Sequence, residues 1–261
     1  MRHGAGKARA IGFLRSISRA TGLALGLLLS AAPAATAQSQ CRLALILAFD
    51  VSGSVDAREY RQQLDGTAAA LDDPKVQAAF LALPGTHVEL AAFQWGAKSQ
   101  QSMLLDWTPI HRAEALSAAA ARLRDTAAPF ENPQTAIGAA MLYGLDRLQD
   151  RDACWTHVMD ISGDGPSNNG PFPETIGAGG PPGLTINALV IGPDARDNIT
   201  KNLANAGTLL TYYRDRVLRG PGAFVITATG YDDYRRAMTA KLLRELRPVA
   251  VSSRHTPQPV Q

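Results

Sequence analysis

Two phosphate-binding signatures are missing from this chain. No Gly-x-Gly-x-x-Gly follows its first apolar run and no Walker sequence ends in Gly-Lys, so phosphate cradling is disfavoured. Gly-x-Ser-x-Gly is also missing, which removes the elbow of a serine hydrolase. His87, His111 and His157 fall at no metal-ligand spacing, and each starts or sits within an expected element, so structural roles are the plainer reading. There is no internal repeat and no basic run that would mark a nucleic-acid partner. Cysteine is scarce, with two residues, Cys41 and Cys154.

Basic charge is concentrated at one end. The first 37 residues hold Arg2, Lys7, Arg9, Arg15 and Arg19 without an acid, then the apolar run 22–32, then Ala35-Thr36-Ala37. That layout predicts a secretory signal peptide over 1–37, cleaved after Ala37, and the apolar run is short for a membrane span. An uncleaved N-terminal anchor is the alternative. The leader takes five of the 26 basic residues and none of the 23 acidic ones, so the mature chain would carry a net charge of −2. It is expected in the periplasm or secreted, with no membrane span after cleavage and no nucleic-acid partner.

The cysteines agree with export. Cys41 lies nine residues before Asp50 and Cys154 ten before Asp164. If both aspartates end parallel strands, both cysteines start them at the opposite edge, which predicts a Cys41–Cys154 disulfide. Two free thiols, or a lipid-anchored Cys41, are the alternatives, the latter disfavoured by Gln40.

Residues 43–49 are apolar throughout, too continuous for a strand with one wet face, and read as a central parallel strand covered on both sides. Further strands are expected at 88–95, 102–107, 154–162, 184–191 and 223–228, the second and third joined by a turn short enough for an antiparallel hairpin. Apolar residues at helical spacing mark helices from Asp56, over 111–126, from Ile137, from Ile199 with a possible split at Gly207, and over 231–246. Between Gly163 and Gly183 lie seven glycines and five prolines, so that crossover is expected to be long and mostly irregular. The expected fold is α/β: a doubly wound, mostly parallel six-stranded sheet with one antiparallel edge strand, over 38–247, followed by a disordered tail over 248–261.

Ligands of such sheets bind beyond the carboxyl ends of the strands. Asp50 and Asp164 both end strands, and Thr135 opens the helix before the second of them. Asp50, Ser52 and Ser54 set a carboxylate and two hydroxyls at alternate positions of one loop, a donor set for a hard divalent cation such as magnesium. Ser54 or Asp56 could instead only cap the next helix, with Glu59 as the capping-box partner of Asp56. Asp160, mid-strand, is the rival of Asp164 and could be a buried, hydrogen-bonded residue.

Asp-x-Ser-x-Ser at 50–54, Thr135 before a helix and Asp164 in Ser-Gly-Asp-Gly resemble the three loops of the metal-ion-dependent adhesion site of von Willebrand factor type A domains, over about residues 43–246. Ile161-Ser162-Gly163-Asp164-Gly165-Pro166-Ser167-Asn168-Asn169-Gly170, Thr185-Ile186-Asn187-Ala188-Leu189, Tyr212-Tyr213, Gly220-Pro221-Gly222-Ala223-Phe224 and Lys241-Leu242-Leu243-Arg244-Glu245 resemble an exported bacterial group of such domains with no assigned function. The resemblance implies that Ser52 and Ser54 ligate Mg2+ through their hydroxyls, with Mn2+ or Ca2+ as other candidates. Asp50 would bind directly or through water, Thr135 would add a hydroxyl in the ligand-competent state, and Asp164 would act through water. An open metal position would take an Asp or Glu carboxylate of a protein partner. The chain departs from the group in the Gly/Pro-rich stretch 177–183, where a helix is expected, and at Gln94, where an acid usually precedes the tryptophan.

Three functions follow from these residues. The first is a non-enzymatic binding module working through the metal. The second is a metal-assisted phosphoester hydrolase, which the lack of a second acidic cluster and of a phosphate loop disfavours. The third is a structural domain with an empty, vestigial site.

Overall fold

The computed structural model describes residues 39–127, 134–176, 179–192 and 199–247, without the side chains of 199–206. The expected signal peptide, the expected tail and the loop prolines Pro129 and Pro133 lie outside those residues. Six strands form one sheet: β1 (Gln40–Asp50), β2 (Thr86–Trp95), β3 (Gln101–Ile110), β4 (His157–Gly163), β5 (Thr185–Gly192) and β6 (Val225–Thr229). Their order is β3-β2-β1-β4-β5-β6, and every neighbouring pair is parallel except β2 with β3. The helices are α1 (Ala57–Leu71), α2 (Pro74–Phe80), α3 (Ala113–Arg124), α4 (Ile137–Gln149), α5 (Ile199–Arg216) and α6 (Tyr234–Glu245).

The central strand explains the two layers. Leu43, Leu45, Leu47 and Phe49 of β1 share a core with residues of α1, α2, α3 and α6, while Ala44, Ile46 and Ala48 pack with α4 and the end of α5. Both faces are dry, which is why the strand carries no polar alternation. A register shift between Cys41 and Leu43 places Cys41 in the α4 layer and frees Arg42 for the other side. There Arg42 donates to the carbonyls of Ala79 (2.8 Å), Phe80 (3.3 Å) and Leu246 (3.4 Å), the otherwise orphaned ends of α2 and α6. Burial pushes its guanidinium pKa down.

Cys41 and Cys154 form the expected disulfide. Cys154, however, sits in a turn before β4, its N–H donating to the Arg151 carbonyl at 2.9 Å, so β4 starts three residues later than the apolar run suggests. β3 runs on through Pro109, which an edge strand tolerates because a missing N–H costs no ladder bond there. Gly207 does not split α5, and a 3-10 turn over Tyr231–Asp233 precedes α6. Among the described residues, the β4–β5 crossover holds only the 3-10 turn Pro173–Thr175.

From β1 the chain winds outward to β2 and β3, and from β4 it winds the other way to β5 and β6. That reversal puts the topological switch point at the carboxyl ends of β1 and β4, where Asp50 and Asp164 lie. Among the described residues no helix is long and apolar enough to cross a membrane.

Candidate functional site

Asp50 closes β1 and is fully buried. Its Oδ1 accepts the Ser52 N–H at 2.7 Å, a local turn that bends the chain out of the strand. Gln63 of α1 donates to the Asp50 carbonyl at 2.9 Å. Ser52 Oγ lies 3.2 Å from Ser54 Oγ, and Ser54 Oγ donates to Asp164 Oδ1 at 2.6 Å. Tyr231 OH donates to the other Asp164 oxygen at 3.1 Å. Four of the five expected site residues are thereby joined in one group from the β1 and β4 loops.

Thr135 reaches the same rim through its backbone. Its N–H donates to Asn168 Oδ1 at 2.8 Å, and its carbonyl accepts from the N–H groups of Asn168 (2.8 Å) and Asn169 (3.1 Å) and from Ser167 Oγ (3.2 Å). Ser167 Oγ also accepts the Ile137 N–H at 3.2 Å, capping α4 where Ala136 has no side chain to do so. A Cβ on Gly138 would fall 2.1 Å from the Pro171 carbonyl, so the β4 loop lies directly on the first turn of α4. Among the described residues, no hydrogen bond joins the Thr135 hydroxyl to Asp50, Ser52, Ser54 or Asp164.

Electrostatics set this rim apart. Neither Asp50 nor Asp164 has a basic ion-pair partner among the described residues. Burial, reinforced by the facing Asp164 carboxylate, pushes Asp50 up to about 8, against the opposing pull of the Ser52 hydroxyl and N–H and of the Asp164 backbone. Asp50 Oδ2 is buried and has no hydrogen-bond partner among the described residues. Burial and the same two carboxylates push the Tyr213 and Tyr231 hydroxyls well above their ordinary value. Gly163 makes this crowding possible: a Cβ there would lie 2.3 Å from Tyr213 OH and 3.1 Å from Asp50 Oδ2.

Several of these residues escape a reading of the sequence. Tyr231 and Gln63 sit on a helix cap and a helix face and carry no motif, Tyr213 stands in the Tyr-Tyr pair of the resemblance without a role attached to it, and the turn formers around Asn168 are a usable signal. Gln94, the departure noted in β2, accepts from Tyr60 OH at 2.7 Å and donates to Ser102 Oγ at 3.0 Å, so it is a structural link between α1 and β3.

A second group of ligand-type side chains lies at the opposite end of the sheet. Atoms of Cys41, His87 and Glu89 come within 4.8 Å of one another. The parallel pairing of Cys41 with His87 brings them together, which spacing within a single strand cannot reveal. Here each group has a partner: Cys41 is in the disulfide, Glu89 takes Arg151 at 2.8 Å, and His87 Nδ1 is 3.0 Å from Ser39 Oγ. Burial, with His111 beside it, lowers the His87 pKa.

A family model described as a protein of unknown function, DUF1194, matches residues 40–250. The chain belongs to this family. Its fold is that of von Willebrand factor A domains. The pilus adhesin SpaC from Lactobacillus rhamnosus GG aligns with a TM-score of 0.54 at 13% identity, covering 80% of this chain and 31% of that one. Proximal thread matrix protein 1 from the mussel byssus, in a structure with a zinc-occupied metal-ion-dependent adhesion motif, aligns with a TM-score of 0.51 at 16% identity, covering 80% and 48%. A von Willebrand factor type A protein from Catenulispora acidiphila aligns at 0.46 and 15% identity, covering 79% and 43%. The DUF1194 chain thus spans less than half the length of each of these proteins, and at such identities the likeness is one of fold. No curated protein matches the sequence.

Proposed function

We propose that this DUF1194 chain is an exported binding module that holds a divalent cation, Mg2+ ahead of Mn2+ or Ca2+, at the rim. Asp50, Ser52 and Ser54 would hold it, with Thr135 and Asp164 completing the set, and the bound cation would offer an open position to an Asp or Glu carboxylate of a protein partner. One observation carries this reading. Asp50 presents a buried carboxylate oxygen with no hydrogen-bond partner among the described residues, in a group that also holds Asp164 and lacks a basic partner. A cation is the missing charge, and an all-oxygen donor set suits a hard one. The mussel protein's zinc shows that a related fold takes a divalent ion in such a motif. The disulfide is at home in an oxidising compartment, in keeping with export.

The test is a thermal-shift titration of the chelator-treated protein. Magnesium at ~100 times its dissociation constant is expected to add ~2.7 kcal/mol of stability, and Asp50→Ala to abolish that gain. No gain in the unaltered chain, or an equal gain in the variant, would leave the rim as an empty structural feature. Magnesium-dependent capture of a carboxylate-bearing protein, lost in Asp50→Ala, tests the partner. Turnover of phosphoesters, lost in the same variant, would favour a hydrolase instead.

A further inference from the structure

Four residues before Asp164, β4 carries the buried acid Asp160. Asp160 Oδ1 lies 3.0 Å from Lys241 Nζ, and that nitrogen lies 2.7 Å from Glu245 Oε1, one turn further along α6. The three side chains are 1%, 0% and 0% exposed. The Phe224 ring stands 4.8 Å from Nζ. Asn187 Nδ2 donates to Glu245 Oε1 at 2.9 Å, and Asn187 Oδ1 accepts the Phe224 N–H at 3.0 Å, so the carboxylate of Glu245 is held against the amine.

We propose that Lys241 and Asp160 condense into an intramolecular amide that ties α6 to β4, with Glu245 as the proton carrier. The parts needed are an amine, a carboxyl group and a base, and here both acids touch the one amine in a buried surrounding. Holding reactants in this way can replace molar concentrations of an external reagent by several orders of magnitude. A proton leaves the Lys241 ammonium for Glu245 and passes to the Asp160 carboxylate, turning the ion pair into an amine and a neutral acid. The amine lone pair attacks Asp160 Cγ, and the carbon–nitrogen bond forms. A second proton travels from nitrogen through Glu245 to the departing hydroxyl, the carbon–oxygen bond breaks and water leaves. One amide and one water result, Glu245 returns as it began, and no oxidant or cofactor is used.

Two observations favour Asp160 over Glu245 as the acyl group. Asp160 is held by Lys241 alone, through Oδ1, and its Oδ2 has no hydrogen-bond partner among the described residues, whereas Glu245 is anchored a second time, Oε1 accepting from Asn187 as well as from Lys241. Burial pushes the Asp160 acid up to about 7 against the pull of Lys241, toward the neutral form that an amine attacks. The reaction also relieves the interior of two charges. Each buried ion carries a desolvation penalty that a neutral amide does not.

Peptide mapping of the denatured, reduced and alkylated full chain decides the matter. Trypsin should release residues 152–196 joined to 237–244, one water lighter than the two separate peptides and uncut after Lys241. Separate linear peptides, with 237–241 cut normally and 152–196 at full mass, would overturn the proposal using the unaltered protein alone. Glu245→Gln should leave a cooperatively melting fold that yields only linear peptides; a branch at undiminished yield would remove Glu245 from the chemistry. Lys241→Arg should give none. Asp160→Asn should reach the identical branched peptide by expelling ammonia, and a failure of that rescue while the variant folds would count against Asp160 as the acyl group.

Discussion

Asp50 and Asp160 lie on adjacent parallel strands, both buried, and both are pushed far above the ordinary carboxylate range, to about 8 and about 7. Desolvation is the main cause in each case. They differ in what faces them. Asp160 meets an amine supplied by the chain itself, so its charge is answered from within, by an ion pair before the proposed amide forms and by neutralisation once it has. Asp50 meets another carboxylate and the Ser52 N–H, and among the described residues no basic side chain pairs with it. The difference teaches how one sheet can carry buried acids for two ends: an acid given an internal counter-ion fastens a helix, and an acid denied one at an open rim is a place for an ion from outside.

Removing the internal cation should make the first acid as needy as the second. Lys241→Ala leaves Asp160 and Glu245 buried without a counter-charge and removes the proposed amide, and a loss of at least about 3–5 kcal/mol is expected in urea unfolding. A loss below about 1 kcal/mol would mean that water or a shifted helix satisfies both acids, and the contrast between the two positions would dissolve.

The next effect belongs to Asp50 and has a defined sign. Its folded-state pKa is raised, so the protein binds an extra proton relative to the unfolded chain. The resulting stability is fully present below the ordinary carboxylate pKa and is lost as pH rises through about 8. In chelator, the unfolding free energy should therefore fall from about pH 5 to about pH 8, and saturating magnesium should flatten that slope by favouring the ionised form. Asp50→Ala should show a shallower profile without metal, level between about pH 7 and pH 8, where Asp160 no longer contributes. An unchanged slope in that variant would assign the proton elsewhere.

A smaller effect is expected at the glycine between the two acids. Gly163→Ala forces a Cβ against Tyr213 OH and toward Asp50 Oδ2, at a cost of about 1–3 kcal/mol, and should weaken the magnesium-induced shift as well. Lost stability with an intact shift would separate packing at Gly163 from the geometry of the rim.

The contrast also marks what a sequence can disclose. The parallel sheet was legible because strands buried on both faces appear as unbroken apolar runs, and the disulfide because each cysteine stands about one strand length ahead of an aspartate. The rim acids were legible as strand-terminal residues beside turn formers. The Asp160–Lys241–Glu245 group was not. A lysine within the stripe of Tyr234, Met238 and Leu242 reads as a solvated neighbour, and nothing local says that β4 waits beneath it with an acid. Likewise, Cys41, His87 and Glu89 meet only through the pairing of β1 with β2. Groups whose members each carry a local signal survive translation into sequence; those whose members carry none do not.

The smallest effect tests where the rim ends. Asp56 follows Ser54 by two residues and offers one more oxygen to any reader counting ligands. In the fold its Oδ1 accepts the Glu59 N–H at 2.8 Å, while Glu59 Oε2 accepts the Asp56 N–H at 2.9 Å, a reciprocal cap at the start of α1. Asp56→Ala should thus cost about 1 kcal/mol, the ordinary loss of a helix cap. That loss should be equal in magnesium and in chelator, because a capping oxygen contributes to the helix whether or not an ion is bound. A magnesium-induced shift that shrinks with the cap would place Asp56 among the ion's ligands, and the rim would then answer its missing charge with three carboxylates rather than two.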